Sequence, residues 1–142
     1  PVPGTDDGLY NEMLKARRDG KIRFIGFTTH NLSLAQEAIS SGLYDVIRYP
    51  LNIFSLEEEL ALLKQAEQSD VGLIAIKTLC SGKIENIPLA YGFLRQYENL
   101  VSVWGIRNID DLQKLIYFEF NPPKINEQFK IELQELKNSL KN

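Results

Sequence analysis

Two short polar segments contain the side chains best suited to hold an anion. Arg107 and Asn108 lie between an apolar run and a helical pattern, so a phosphate there would meet a guanidinium and the amides at a helix start. Ser81 and Gly82 follow another apolar run and would permit close approach of the backbone to a second phosphate. Alternatively, Arg107 is a solvated charge and Asn108 only a helix cap. No Gly-x-Gly-x-x-Gly or Walker lysine loop accompanies these residues.

Three further residues carry reactive groups near the ends of apolar runs. His30 could act as a general acid or base near neutral pH, or could lie in the loop beside the helix cap Asn31. Lys77 could form a Schiff base if desolvated, or could bury its stem and keep its ammonium at the surface. Cys80 has only Lys77 nearby to favour a thiolate. We favour the structural interpretation of all three residues.

The composition excludes several classes of protein. Among the 142 residues are one Cys and one His, too few for a closed zinc site, an iron-sulfur cluster or an internal disulfide. The net charge of −3 argues against broad binding to nucleic acids or to anionic membranes. No apolar run approaches the roughly 20 residues that span a bilayer. We therefore expect no metal, no nucleic acid and no membrane, and the low Cys content predicts a cytoplasmic location.

Hydrophobic periodicity places the polar segments in four repeats of a strand followed by a helix. A short helix over residues 9–17 precedes the repeats, and an amphipathic helix with Phe129, Leu133, Leu136 and Leu140 follows Asn121-Pro122-Pro123. That last helix could pack on the repeats or dock on a missing partner. The predicted strands are 21–27, 45–49, 71–77 and 100–104, and the helices that follow them are 34–39, 56–68, 88–97 and 109–118.

Four such repeats predict an α/β fold with a parallel sheet and right-handed crossovers. Two architectures fit, a small open doubly wound sheet or half of an eight-stranded barrel, since a complete barrel needs roughly 250 residues. In both, ligands bind at the carboxyl ends of the strands. The polar segments predicted at those ends are 28–30, 48–52, 77–82 and 105–108.

At these segments the sequence resembles the aldo-keto reductase family. Residues 20–30 read GKIRFIGFTTH, similar to the family's fifth-strand pattern G-K-I-R-x-I-G-x-S-N/x-H. Residues 45–52 resemble the sixth-strand D-x-x-Q-x-x-x-N segment, and residues 74–82 resemble the seventh-strand A-M-K-x-L-x-x-G. Residues 103–108 are similar to the turn that follows the last strand. The resemblance covers residues 1 to about 120, in order and in spacing.

The flanking residues 2–9 and 121–123 are most similar to a subgroup of that family with an iron-sulfur extension at the C-terminus. No such cysteine run is present, so a cluster could lie only beyond Asn142.

The resemblance implies a fold and an activity. The family forms a (β/α)8 barrel that binds NADPH or NADH across the strand ends and reduces carbonyl compounds by hydride transfer. Residues 1–120 would then form the C-terminal half of a TIM-type barrel, and residues 121–142 a helical extension. The family's catalytic Asp, Tyr, Lys and His come from the first four strands. The chain would therefore hold no catalytic residue and be inactive alone, whereas its full-length parent would be a cytoplasmic NAD(P)H-dependent oxidoreductase with a small carbonyl substrate.

The resemblance also implies a set of cofactor-binding residues. A group at the nicotinamide would consist of Thr28 and Thr29 at the carboxamide, Arg48 where a Gln is usual, and Ile76 on the ring face. A group at the rest of the dinucleotide would consist of Leu79 and Ser81 at the pyrophosphate and Arg107 and Asn108 at the adenosine ribose or its 2′-phosphate. Gln113 replaces a second guanidinium of strongly NADP-preferring members, which argues against a strict preference for NADPH.

Half of a barrel has two strand edges and an apolar face to cover. The chain is thus expected to pair with the missing N-terminal half or to self-associate. One alternative function is a non-catalytic half-barrel that binds a nucleotide or assembles with itself. Another is a Schiff-base lyase that uses Lys77.

Overall fold

The computed structural model describes Gly4 and residues 8–139, so Leu140 and residues 5–7 lie outside the described part. Six α-helices, four strands and one short 3-10 helix alternate along these residues. In chain order they are α1 (Gly8–Arg18), β1 (Gly26–Thr28), α2 (Leu32–Ser40), β2 (Val46–Pro50), α3 (Glu57–Gln68), β3 (Gly72–Ile76), the 3-10 helix (Cys80–Gly82), α4 (Ile87–Arg95), β4 (Leu100–Ser102), α5 (Ile109–Phe120) and α6 (Glu127–Ser139).

The four strands form a parallel sheet in the order β1-β2-β3-β4, and each strand is followed by a helix. The register pairs Gly26 with Val46 and Thr28 with Arg48. The predicted α/β fold of parallel βα repeats is therefore confirmed. β1 is shorter than the predicted strand over residues 21–27. The Ile25 amide donates to the side-chain Oδ2 of Asp45 at 2.7 Å, so the regular ladder begins only at Gly26.

The chain divides into two compact units, of which the first comprises Pro1–Tyr49 and Glu57–Ile74. Asp45 is a central polar residue of this unit, because the same Oδ2 that accepts from Ile25 lies 3.2 Å from Arg17 Nη1 on α1. Tyr10 on α1 donates its hydroxyl to the Leu43 carbonyl at 2.6 Å. The apolar core of this unit includes Ile25, Ala35, Ile39, Ile47, Leu62, Ala66 and Leu73.

The periodicity of residues 56–68 predicts an apolar face of Leu56, Leu60, Leu63 and Ala66, and the buried face of α3 agrees with it only in part. Leu56, expected on that face, is 66% exposed because the helix begins only at Glu57. Leu63 and Ala66 are buried as predicted, and Leu62 is buried in addition.

The second unit comprises Pro50–Leu56 and Ala75–Asn142 and has its own core around α4. In this unit α6 packs on α4, with the buried Phe129 ring directly against Gly92. The Lys137 ammonium lies 5.1 Å from the centre of the Phe93 ring, at cation–π distance. Of the two alternatives predicted for the last helix, packing on the repeats is the one observed.

Two buried tyrosines predict how the stability depends on alkaline pH. Burial raises the pKa of Tyr91 to about 12, helped by its hydrogen bond to Glu119, and burial with a 3.0 Å bond to Glu59 raises the pKa of Tyr49 to about 12. An unfolded tyrosine ionises near pH 10, so between pH 10 and 12 the folded state binds more protons than the unfolded state. The stabilisation is complete below pH 10 and is lost as the pH rises to 12.

We therefore expect the free energy of unfolding to fall between pH 10 and 12 in urea titrations. Tyr91→Phe should reduce that slope, by less than the ~1.4 kcal/mol per pH unit that one proton contributes. Tyr117→Phe, at an exposed position on α5, is the matched control and should leave the slope unchanged. An unchanged slope in Tyr91→Phe would contradict this assignment.

Candidate functional site

The first unit brings three of the predicted residues together where β1 and β2 run side by side. Thr28 is paired with Arg48 in the ladder, and both side chains are exposed. The Thr29 amide continues the ladder by donating to the Arg48 carbonyl at 3.2 Å. Thr29 is buried, and its Oγ1 accepts a 3.0 Å hydrogen bond from the Asn31 amide. Thr28 and Arg48 thus present polar groups to solvent, while Thr29 also shapes the turn into α2.

In the second unit, the chain after β3 makes a turn with an unusual number of left-handed residues. Lys77, Cys80, Ser81 and Gly82 have φ values of 56, 49, 57 and 92°. Residues other than glycine adopt such angles rarely, so the turn is sharply specified. The Gly82 amide closes it by donating to the Leu79 carbonyl at 2.9 Å. Ser81 is exposed at this turn, whereas Ile76 and Leu79 are buried beneath it.

The other predicted anion-binding residues lie at the start of α5. Asn108 caps that helix, because its Oδ1 accepts from the Asp111 amide at 2.8 Å. The Arg107 side chain is 70% exposed, and its Nη1 lies 3.7 Å from the position that a Cβ would take at Gly82. The structure therefore places the Ser81–Gly82 turn beside the Arg107 guanidinium, although the two are 25 residues apart in sequence. A cation over a glycine turn with an exposed hydroxyl is a suitable site for a phosphate.

Asp111 is a residue of this site that sequence reasoning misses. From the sequence, the helix dipole is enough to explain an acidic residue in the first turn of a helix, so Asp111 is not predicted to belong to a site. In the structure it is only 6% exposed, and its Oδ2 accepts from both the main-chain N and the side-chain Nε of Arg107, at 3.2 and 3.3 Å. The i,i+4 spacing of Arg107 and Asp111 is the signal that could have identified the pair.

The other three candidate residues are His30, Lys77 and Cys80. None of them lies in a surrounding that would activate its side chain for catalysis. His30 is exposed, next to Asn31, which caps α2 by accepting from the Leu34 amide at 3.0 Å. Lys77 is exposed rather than desolvated, which does not favour a nucleophilic amine, and its carbonyl accepts from Asn52 Nδ2 at 3.2 Å. Cys80 is half-buried.

Within Gly4 and residues 8–139, no group of three or more His, Cys, Asp or Glu residues is placed to hold a metal ion. In the same part of the chain, no helix is both long and apolar enough to cross a bilayer.

The second unit contains a cavity that none of the predicted cofactor-binding residues lines. It has a volume of about 240 Å³ and is lined by residues of α4, β4 and α5 and by Trp104, whose ring stacks on Tyr91 at 5.6 Å. Beside it, Glu119 accepts from the Tyr91 hydroxyl and lies 3.6 Å from Arg95. The Glu119 carboxylate is thus paired with residues of its own unit. The polar groups that line the cavity are explained by the packing of α4 against α5 and do not require a ligand.

Comparison with known proteins identifies a structural neighbour. The chain is similar to the crystal structure of a protein named as a candidate 2,5-diketo-D-gluconic acid reductase B, with a TM-score of 0.66 and 18% sequence identity. The match covers 94% of this chain and 53% of the other, so the chain spans about half the length of that structure. No family model and no curated protein matches the sequence. The likeness shows the fold, in which four parallel strands alternate with helices as in part of a TIM-type barrel.

Proposed function

We propose that the chain is the dinucleotide-binding part of an NAD(P)H-dependent carbonyl reductase of the aldo-keto reductase kind. The observation that supports this proposal best is the position of Arg107 over the Ser81–Gly82 turn, since it joins two segments that the resemblance assigns to one dinucleotide. The fold shared with a protein named as a candidate reductase supports the same function.

The residues present fit a dinucleotide. Arg107 would hold a phosphate by its exposed guanidinium, and Ser81 would donate its hydroxyl. In the first unit, Thr28 and Arg48 are exposed side by side, so a hydroxyl and a guanidinium would bind the oxygen of the nicotinamide carboxamide. When bound, the reduced nicotinamide supplies a hydride, and these residues orient the ring that carries it. Because Ile76 and Leu79 are buried, each would offer the cofactor only a small apolar surface.

The chemistry of carbonyl reduction also needs an acid that protonates the carbonyl oxygen. The resemblance assigns that acid to strands that this chain does not match, and the chain spans only about half of its structural neighbour. We therefore propose that the chain binds the cofactor without turning over a substrate, and that the full-length protein is a cytoplasmic oxidoreductase with a small carbonyl substrate.

We further propose that the free edge of the sheet at β4 pairs with another strand. β4 is the last strand in the sheet order, and its Val101 side chain is 64% exposed. An apolar strand at a sheet edge is a template for pairing. In the full-length protein the partner would be the N-terminal half, and in solutions of this chain alone it would be a second copy.

Titration of the chain with NADH and NADPH, followed by nucleotide and Trp104 fluorescence, tests the proposed function. Arg107→Ala should weaken the binding of the preferred nucleotide about tenfold or more, because a charge-assisted hydrogen bond contributes roughly 1.5–3 kcal/mol. Arg18→Ala, which removes an equal charge from α1, is the matched control and should leave the affinity unchanged.

An aldehyde assay of the same protein samples should detect no turnover. Binding of neither nucleotide would contradict the proposed function, and turnover by these 142 residues would contradict the absence of catalytic residues.

A further inference from the structure

We infer that the buried carboxylate of Asp111 makes the Arg107 site select a dinucleotide without a 2′-phosphate, that is, NADH over NADPH. The inference rests on the proposed function, and in particular on the adenosine ribose lying near Arg107.

The charge of Arg107 is already matched within the protein. Asp111 Oδ2 accepts from the amide and from Nε of Arg107, at 3.2 and 3.3 Å. Only the terminal amino groups, of which Nη1 lies beside Gly82, are left to face a ligand. Those amino groups can hold the phosphate nearest the Gly82 turn, but the charge of Arg107 is already paired with Asp111, so its attraction for an additional phosphate is weakened.

The net charge of the residues around Arg107 is unfavourable for binding a 2′-phosphate. Arg107 contributes one positive charge, and Asp110 and Asp111 in the first turn of α5 contribute two negative charges. A 2′-phosphate would add about two more negative charges at neutral pH. A ribose diol adds no charge, and its hydroxyl hydrogens are donors that suit a carboxylate acceptor, as in other dinucleotide sites.

The pair of Arg107 and Asp111 is also held too firmly to separate and free the guanidinium for a 2′-phosphate. To free the whole guanidinium, Asp111 would have to release it, and a carboxylate that is only 6% exposed would lose its cation. The Asp111 backbone is held as well, because its amide donates to Asn108 Oδ1 at 2.8 Å. Asp111 therefore acts as a specificity determinant, because its buried carboxylate keeps the charge of Arg107 paired.

Dissociation constants of NADH and NADPH for the 142-residue chain, measured by fluorescence at two salt concentrations, test the inference. Wild-type protein should bind NADH at least about tenfold more tightly than NADPH, and high salt should reduce the difference. Asp111→Asn keeps the size of the side chain and should bring the two constants within about threefold, mainly by improving NADPH binding. Asp110→Asn removes the same charge from an exposed neighbour on the same turn and should have a smaller effect.

Competition by 5′-AMP and by 2′,5′-ADP against bound NADH provides a second measurement on wild-type protein, independent of how well the variants fold. We expect 5′-AMP to compete more effectively. Equal or tighter binding of NADPH and 2′,5′-ADP by wild-type protein would overturn the inference and leave the proposed function standing. Equal effects of the two Asn variants would assign the preference to net charge rather than to Asp111 and would also overturn it. Failure of both dinucleotides to bind would contradict the proposed function itself.

Discussion

Gly92→Ala is expected to lower the free energy of unfolding by about 1–3 kcal/mol, although alanine is the better helix former. Gly92 lies in α4, and a Cβ there would come within 2.7 and 2.9 Å of the Phe129 ring and 3.3 Å of Ile125 Cδ1. Phe129 is buried, so its ring cannot withdraw without moving α6. The steric cost therefore exceeds the gain of about 0.5–1 kcal/mol that alanine brings to a helix interior.

Urea unfolding followed by circular dichroism measures this change, and a Phe129→Ala background provides the control. Without the ring, the same substitution at Gly92 should be neutral or stabilising by up to about 1 kcal/mol, so its effect changes sign. Equal destabilisation in both backgrounds would show that the packing of α6 on α4 is not the cause.

Val101→Lys is expected to weaken self-association of the chain at least about tenfold. The valine is exposed on β4 at the edge of the sheet, where a charged residue opposes pairing with another strand. Sedimentation velocity over a range of protein concentrations gives the monomer–dimer equilibrium directly.

Ile131→Lys makes the same chemical change at an exposed position on α6 and should leave the equilibrium unchanged. Wild-type protein that stays monomeric at millimolar concentration would contradict pairing at β4, and so would equal effects of the two lysine variants.

The features that the sequence predicted well depend on neighbouring residues in the chain. Asn31 and Asn108 were identifiable as caps, because a cap needs only the amide three residues ahead. The repeated strand–helix pattern likewise predicted the parallel sheet, since buried strands and amphipathic helices have distinct periods.

The features that were missed depend on contacts between distant residues or on a one-residue shift. Leu56 was expected in the core, but α3 begins one residue later, so Leu56 precedes the helix and is exposed, whereas Leu63 and Ala66 are buried as expected. The short β1 could not be foreseen because it depends on Asp45, 20 residues away, which takes the Ile25 amide. The contact of Arg107 with the Gly82 turn required the fold, although the residue types alone indicated an anion site.

The left-handed turn after β3 affects how fast a ligand could be captured. Lys77, Cys80 and Ser81 adopt disfavoured angles in the folded chain, and backbone hydrogen bonds within residues 77–84 hold them. The entropy of ordering this segment is thus lost during folding rather than during association. Encounter with a nucleotide would then be governed by diffusion and charge, with no delay for loop closure at this position.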